Sequence, residues 1–72
     1  MLQTRLDIAR RHVRDAEENI TRQIAAVALL KARGEDIAAG QRLLRVHIAF
    51  LQVARRAVAF EVERRRHEKT QN

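Results

Sequence analysis

Cysteine is missing from this chain, and with it disulfides, thiolate metal sites and cysteine nucleophiles. Serine is missing as well, and Thr4, Thr21 and Thr70 stand in isolation, so no hydroxyl nucleophile has a base beside it. There is no proline and there are only two glycines, which leaves few places where a helix has to stop. Tyrosine and tryptophan are absent, and Phe50 and Phe60 are the only aromatic rings besides histidine. The longest apolar run, Ile24 to Leu30, falls far short of the roughly 20 residues of a membrane span. No signal peptide is visible, because Arg5, Asp7 and Arg10 interrupt the N-terminus. A cytoplasmic, bacterial-type protein is the expectation.

What remains is helix-forming and charged. Ala, Leu, Ile, Val, Arg, Glu and Gln dominate the 72 residues. Fifteen Lys and Arg against nine Asp and Glu give a net charge of +6. That balance is compatible with nucleic acid or an anionic membrane surface. The signs are interspersed rather than blocked, which is the pattern of a solvated helix surface. A chain this short holds one domain, and single cores below about 70–80 residues need help from disulfides, metal or a second copy.

One stretch organises the rest: Ala32-Arg33-Gly34-Glu35-Asp36. Gly34 closes a helix in the left-handed conformation without a Cβ penalty. Lys31 and Arg33 precede it, where cations complement the negative helix end. Asp36 suits the N-cap of a second helix. The sequence therefore predicts helix 1 over about 2–33, a turn at 33–36, helix 2 over about 37–67 and a frayed tail at 68–72. Gly40 is expected inside helix 2, marking close approach to Leu30.

Helix 1 carries a heptad seam of Leu2, Leu6, Ala9, Val13, Ala16, Ile20, Gln23, Val27 and Leu30. Asp7–Arg11 and Glu18–Arg22 are acid-to-base pairs at i,i+4 on its polar side. Helix 2 carries two seams. One is Ile37, Leu44, Ile48, Leu51, Ala54, Val58 and Val62. The other is Leu43, Val46, Phe50, Val53, Ala57 and Phe60. Their centres lie roughly 130° apart at about 100° per residue, too wide for one partner helix to cover. A short turn makes the helices antiparallel, with facing residues whose numbers sum to about 70. The expected fold is all-α: an antiparallel, coiled-coil-like two-helix hairpin. The uncovered seam then makes a homodimeric four-helix bundle the expected assembly, with Leu43, Val46, Phe50, Val53, Ala57 and Phe60 as the dimer interface.

The stretch His12-Val13-x-x-Ala16-Glu17-x-x-Ile20-x-Arg22-Gln23, then Leu30-x-x-x-Gly34-x-Asp36 and Leu43-Leu44, has a familiar pattern. It resembles a set of short uncharacterised helical proteins of alphaproteobacteria that share H-V-x-x-[GA]-E-x-x-I-x-R-Q, L-x-x-x-G-x-D and L-L. The resemblance spans about residues 12–44. This sequence departs at Ala16, where the family often has Gly, and at His47, where an apolar or aromatic residue is expected. The resemblance implies the helical fold and no activity.

Candidate chemistry is sparse. None of His12, His47 and His67 has a histidine partner at helical metal spacing. His12 with Asp15 or Glu17 is a surface cluster, and His67 complements a helix C-terminus. Gln23 and His47 are the polar exceptions in two facing seams and are expected to meet as a register-fixing pair. A small-ligand site between them is the alternative. The acids Asp15, Glu17, Glu18, Glu61 and Glu63 stand among bases with no pocket to raise a pKa. Neither an enzyme nor a bound cofactor or metal is expected. Antiparallel folding gathers Arg5, Arg10, Arg11 and Arg14 with Arg55, Arg56, Arg64, Arg65, Arg66 and Lys69 at the open end, where Arg10, Arg11, Arg14, Arg56, Arg64, Arg65 and Arg66 are candidates for phosphate contacts. Interhelix ion pairs such as Glu17–Arg55 are the expectation ranked above that.

These observations point to a non-catalytic, self-associating hairpin whose partner is a second copy of itself, with room for a further, unidentified protein. Nonspecific nucleic-acid binding by a small basic protein ranks second. A membrane-surface helix ranks third, since helix 2 is basic and carries both phenylalanines.

Overall fold

The computed structural model describes residues 2–70 of the chain. Two helices make up the fold: α1, Arg5–Ala32, and α2, Ala38–Thr70. They pack against each other as a hairpin 61 Å long, 23 Å wide and 12 Å thick. Among the described residues there is no strand.

Each helix end has a local cause. At the start of α1, Thr4 Oγ1 accepts from the Asp7 backbone N–H at 3.1 Å, and Asp7 Oδ2 accepts from the Thr4 N–H at 3.2 Å. This reciprocal cap satisfies two backbone donors that have no partner inside the helix. It moves the start to Arg5, later than the expected Leu2, and leaves Leu2 fully exposed outside the seam. At the other end Gly34 takes φ +71°. The Gly34 N–H donates to the Lys31 carbonyl and the Glu35 N–H to the Leu30 carbonyl, both at 3.0 Å. Those two bonds are a Schellman closure, which needs a residue in the left-handed region at the position of Gly34. Asp36 Oδ1 accepts from the Ala38 N–H and the Ile37 carbonyl from the Gln41 N–H, both at 2.9 Å, and α2 opens at Ala38, within one residue of the expected Ile37. At the far end α2 continues to Thr70, past the expected stop at His67. Of the expected frayed tail, Gln71 and Asn72 lie outside the described residues.

The helices meet along the two seams. Leu6, Ala9, Ala16, Leu51 and Ala54 are buried. Val13, Ile20, Gln23, Val27 and Leu30 on α1, and Leu44, Val58 and Val62 on α2, are half-buried, as is Ile37 just before α2. Ile48 is 41% exposed and stands at the edge of the seam. Gly40, His47 and Glu61 are half-buried between the apolar members. The α2 seam therefore reads Ile37, Gly40, Leu44, His47, Leu51, Ala54, Val58, Glu61, in steps of three and four throughout.

At Gly40 the facing helix leaves no room for a side chain. A Cβ placed there would stand 2.9 Å from Val27 Cγ2, 3.4 Å from Gln23 Nε2 and 3.9 Å from Leu30 Cδ1. Close approach at Gly40 is thus present, with Val27 nearer than Leu30. The Gly40 carbonyl keeps a lone pair beyond the one used in the helix ladder, and Gln23 Nε2 donates to it at 3.0 Å.

The expected surface ion pairs do not form. Asp7 is occupied by Thr4 rather than Arg11, and Arg22 donates to Asn19 Oδ1 at 2.6 Å rather than pairing with Glu18. Glu17 and Arg55 make no ion pair among the described residues. The ion pairs observed there run along α2: Arg64 with Glu61 at 3.1 Å and with Glu68 at 4.0 Å, and Arg66 with Glu63 at 3.8 Å. Residues three and four apart on one helix meet without any constraint from the partner helix, which favours these pairs over longer reaches.

Candidate functional site

The second seam of α2 stays uncovered by α1. Leu43 is 45% exposed, Val46 48%, Phe50 64%, Val53 60% and Phe60 65%, and Ala57 is exposed with them. α1 meets α2 on the opposite stripe, so these residues form a continuous apolar strip along most of the helix. Val46, Ala49, Phe50 and Val53 line a shallow hollow of about 230 Å³ within it. A second hollow of about 280 Å³ lies where the strip meets α1. His12, Asp15 and Asn19 border it from α1, and His47, Phe50, Val53 and Ala57 from α2.

His47 is half-buried, and its side chain makes no hydrogen bond to a described residue. The hydrogen-bond partner of Gln23 across the hairpin is the Gly40 carbonyl rather than His47. The carbonyls of α2 point along its axis away from the turn, which brings that of Gly40 within reach of Gln23 on α1. His47 instead faces the hollow with His12. No buried side-chain polar atom among the described residues lacks a partner.

The basic end divides into three sets. Arg64 and Arg66 are bound to acids on their own helix. Arg11, Arg56 and Arg65 are exposed and line neither of the two hollows between the helices. Arg10 and Arg14 come together with Arg55 around a third hollow of about 350 Å³, floored by Val13 and Val58. Grouping by helix end does not separate these sets; the face of each helix does.

The Asp7 carboxyl is held below its ordinary value of 3.8. The side-chain hydrogen bond with Thr4 is the main cause, the bond from the Thr4 N–H comes next, and the Arg65 and Arg10 charges add smaller contributions. Among the described residues no three histidine or acidic side chains gather closely enough to hold a metal ion, and no helix is long and apolar enough to cross a membrane.

Periodicity finds the exposed strip. It misses the Thr4–Asp7 cap, whose signal is T-x-x-D around the seam residue Leu6. It gathers Arg55 with Arg10 and Arg14 at one basic end, but it does not single out these three as the arginines that border one hollow. Comparison with family models, curated proteins and solved structures gives no match.

Proposed function

We propose that this chain is a non-catalytic, self-associating helical-hairpin module, in which two copies join through the second seam of α2 into a four-helix bundle. The observation that carries this reading is how little the lone hairpin buries. Its accessible surface is 5994 Å², against about 4,600 Å² for a compact monomer of its 8.4 kDa. The excess is larger than the roughly 800 Å² that each partner contributes to a standard interface. Among the described residues no large side chain is fully enclosed, while five large apolar residues of α2 stand open in one row. The row keeps the three-and-four spacing of a helix-packing seam along α2, and a second copy offers a stripe of the same length and period. His47 and His12 then border the interface, and Phe50 lies near its middle.

Sedimentation across a hundredfold range of concentration tests the proposal, with Phe50→Glu beside the parent chain. A carboxylate at that position would have to be desolvated in the bundle. The parent is expected to sediment as a dimer, and the variant as a monomer with reduced far-UV circular dichroism. A parent that remains a well-folded monomer at the highest concentration, or a variant indistinguishable from it, sinks the reading.

A further inference from the structure

The flank of the hairpin away from the apolar strip carries a site of different chemistry. Around α1, His12 stands about 100° to one side of the seam residue Val13, and Arg14 about 100° to the other. Accordingly His12 borders the hollow beside Phe50, whereas Arg10 and Arg14 border the hollow of about 350 Å³ on the opposite flank. Arg55 closes that hollow from α2, and half-buried Val13 and Val58 form its floor. Three exposed arginines from two helices thus border one apolar surface.

No carboxylate answers them. The side chains of Arg10, Arg14 and Arg55 make no hydrogen bond or ion pair with a described residue. The carboxylate of Asp7 feels Arg10 but is engaged by Thr4, and the Glu17 carboxylate, one turn beyond Arg14, forms no ion pair with either helix. Arg10 and Arg14 are like charges at i,i+4, an arrangement that weakens a helix on its own.

We propose that this groove binds a phosphate group, held by Arg10, Arg14 and Arg55 from both helices. The guanidinium fork donates two parallel hydrogen bonds to adjacent phosphate oxygens. Val13 and Val58 keep water from one side of the pairing, which strengthens it. A bound anion cancels the repulsion between Arg10 and Arg14, and it bridges α1 to α2. Ligand binding therefore raises hairpin stability by mass action. The site does not depend on self-association, because it lies on the flank turned away from the apolar strip.

The test titrates the full chain with inorganic pyrophosphate and, separately, with a short single-stranded oligonucleotide, each against sodium chloride of equal ionic strength. Readouts are the melting temperature and the side-chain Nε–H resonances of the arginines. Sedimentation of the same samples reports association independently. Arg10, Arg14 and Arg55 are expected to shift together, and Arg55→Gln to weaken binding by about tenfold while the exposed Arg42→Gln changes it less than about twofold. Pyrophosphate binding marks a free phosphate ligand. Binding of the oligonucleotide alone marks a phosphodiester chain and is expected to fall steeply with salt. No binding by either probe overturns the proposal. So does equal weakening by Arg42→Gln and Arg55→Gln, which would make the attraction a property of the net charge. Folding of each variant is checked by circular dichroism, and the arginine resonances of the parent chain decide the matter if a variant unfolds.

Discussion

At the scale of single residues, Gly40 leaves to Val27 of the facing helix the space a side chain would take. Glycine inside a helix costs about 1 kcal/mol relative to alanine. Here a Cβ would fall 2.9 Å from Val27 Cγ2, on a β-branched side chain with little rotamer freedom to move away. Overpacking of that kind costs about 1–3 kcal/mol, more than the helix preference returns. Gly40→Ala is therefore expected to lower stability by about 1 kcal/mol, measured by urea unfolding at fixed protein concentration. In a Val27→Ala background the obstructing methyl is gone, and the same substitution should become stabilising. If the sign does not change between the two backgrounds, steric contact with Val27 is not what keeps glycine there.

The helices as elements are bounded by their caps. A Cβ at Gly34 would meet nothing within 4 Å, so a substitution there tests backbone conformation alone. Gly34→Ala should cost about 1 kcal/mol for holding alanine at positive φ, and Gly34→Asn less, since asparagine tolerates that region. Equal melting temperatures for the two variants would count against the Schellman closure. At the start of α1 the cap depends on an ionised Asp7. Its folded-state pKa lies below the ordinary 3.8, so its contribution is complete above that value and is lost as pH falls through the folded value. Amide exchange in the first turn of α1 should accelerate in that acid window. Thr4→Ala should make it fast at neutral pH as well. A first turn equally protected in Thr4→Ala and the parent would exclude the reciprocal cap.

The whole molecule is a thin slab, 12 Å deep, with different chemistry on its two flanks. A slab of two helices encloses little, and the buried set is small: Leu6, Ala9, Ala16, Leu51 and Ala54. Leu51 is the large buried member from α2, and Leu51→Ala should cost about 2 kcal/mol, the low end for such truncations because its cavity opens to solvent. For the proposed dimer, folding and association are linked, so the melting temperature should climb with protein concentration. A melting temperature constant across that range would mean that the hairpin is stable without a second copy.

Some of this was determined by the amino-acid sequence alone. Two helices, the break at Gly34, the α1 seam and the uncovered second stripe of α2 all follow from spacing and from the stop and start residues, which act over one or two helical turns. Tertiary structure decided what depends on the axial offset between the helices. Gly40 rather than His47 receives Gln23, because a small axial shift changes which groups meet while leaving every apolar residue on its face. Ile48 stands at the edge of the seam and His47 within it for a related reason: α2 turns its Gly40–His47–Ala54 line toward α1, and the apolar pattern fits either choice. Arg55 joins Arg10 and Arg14 because all three fall on one flank of an antiparallel pair, a relation that exists only once the two helices are laid together.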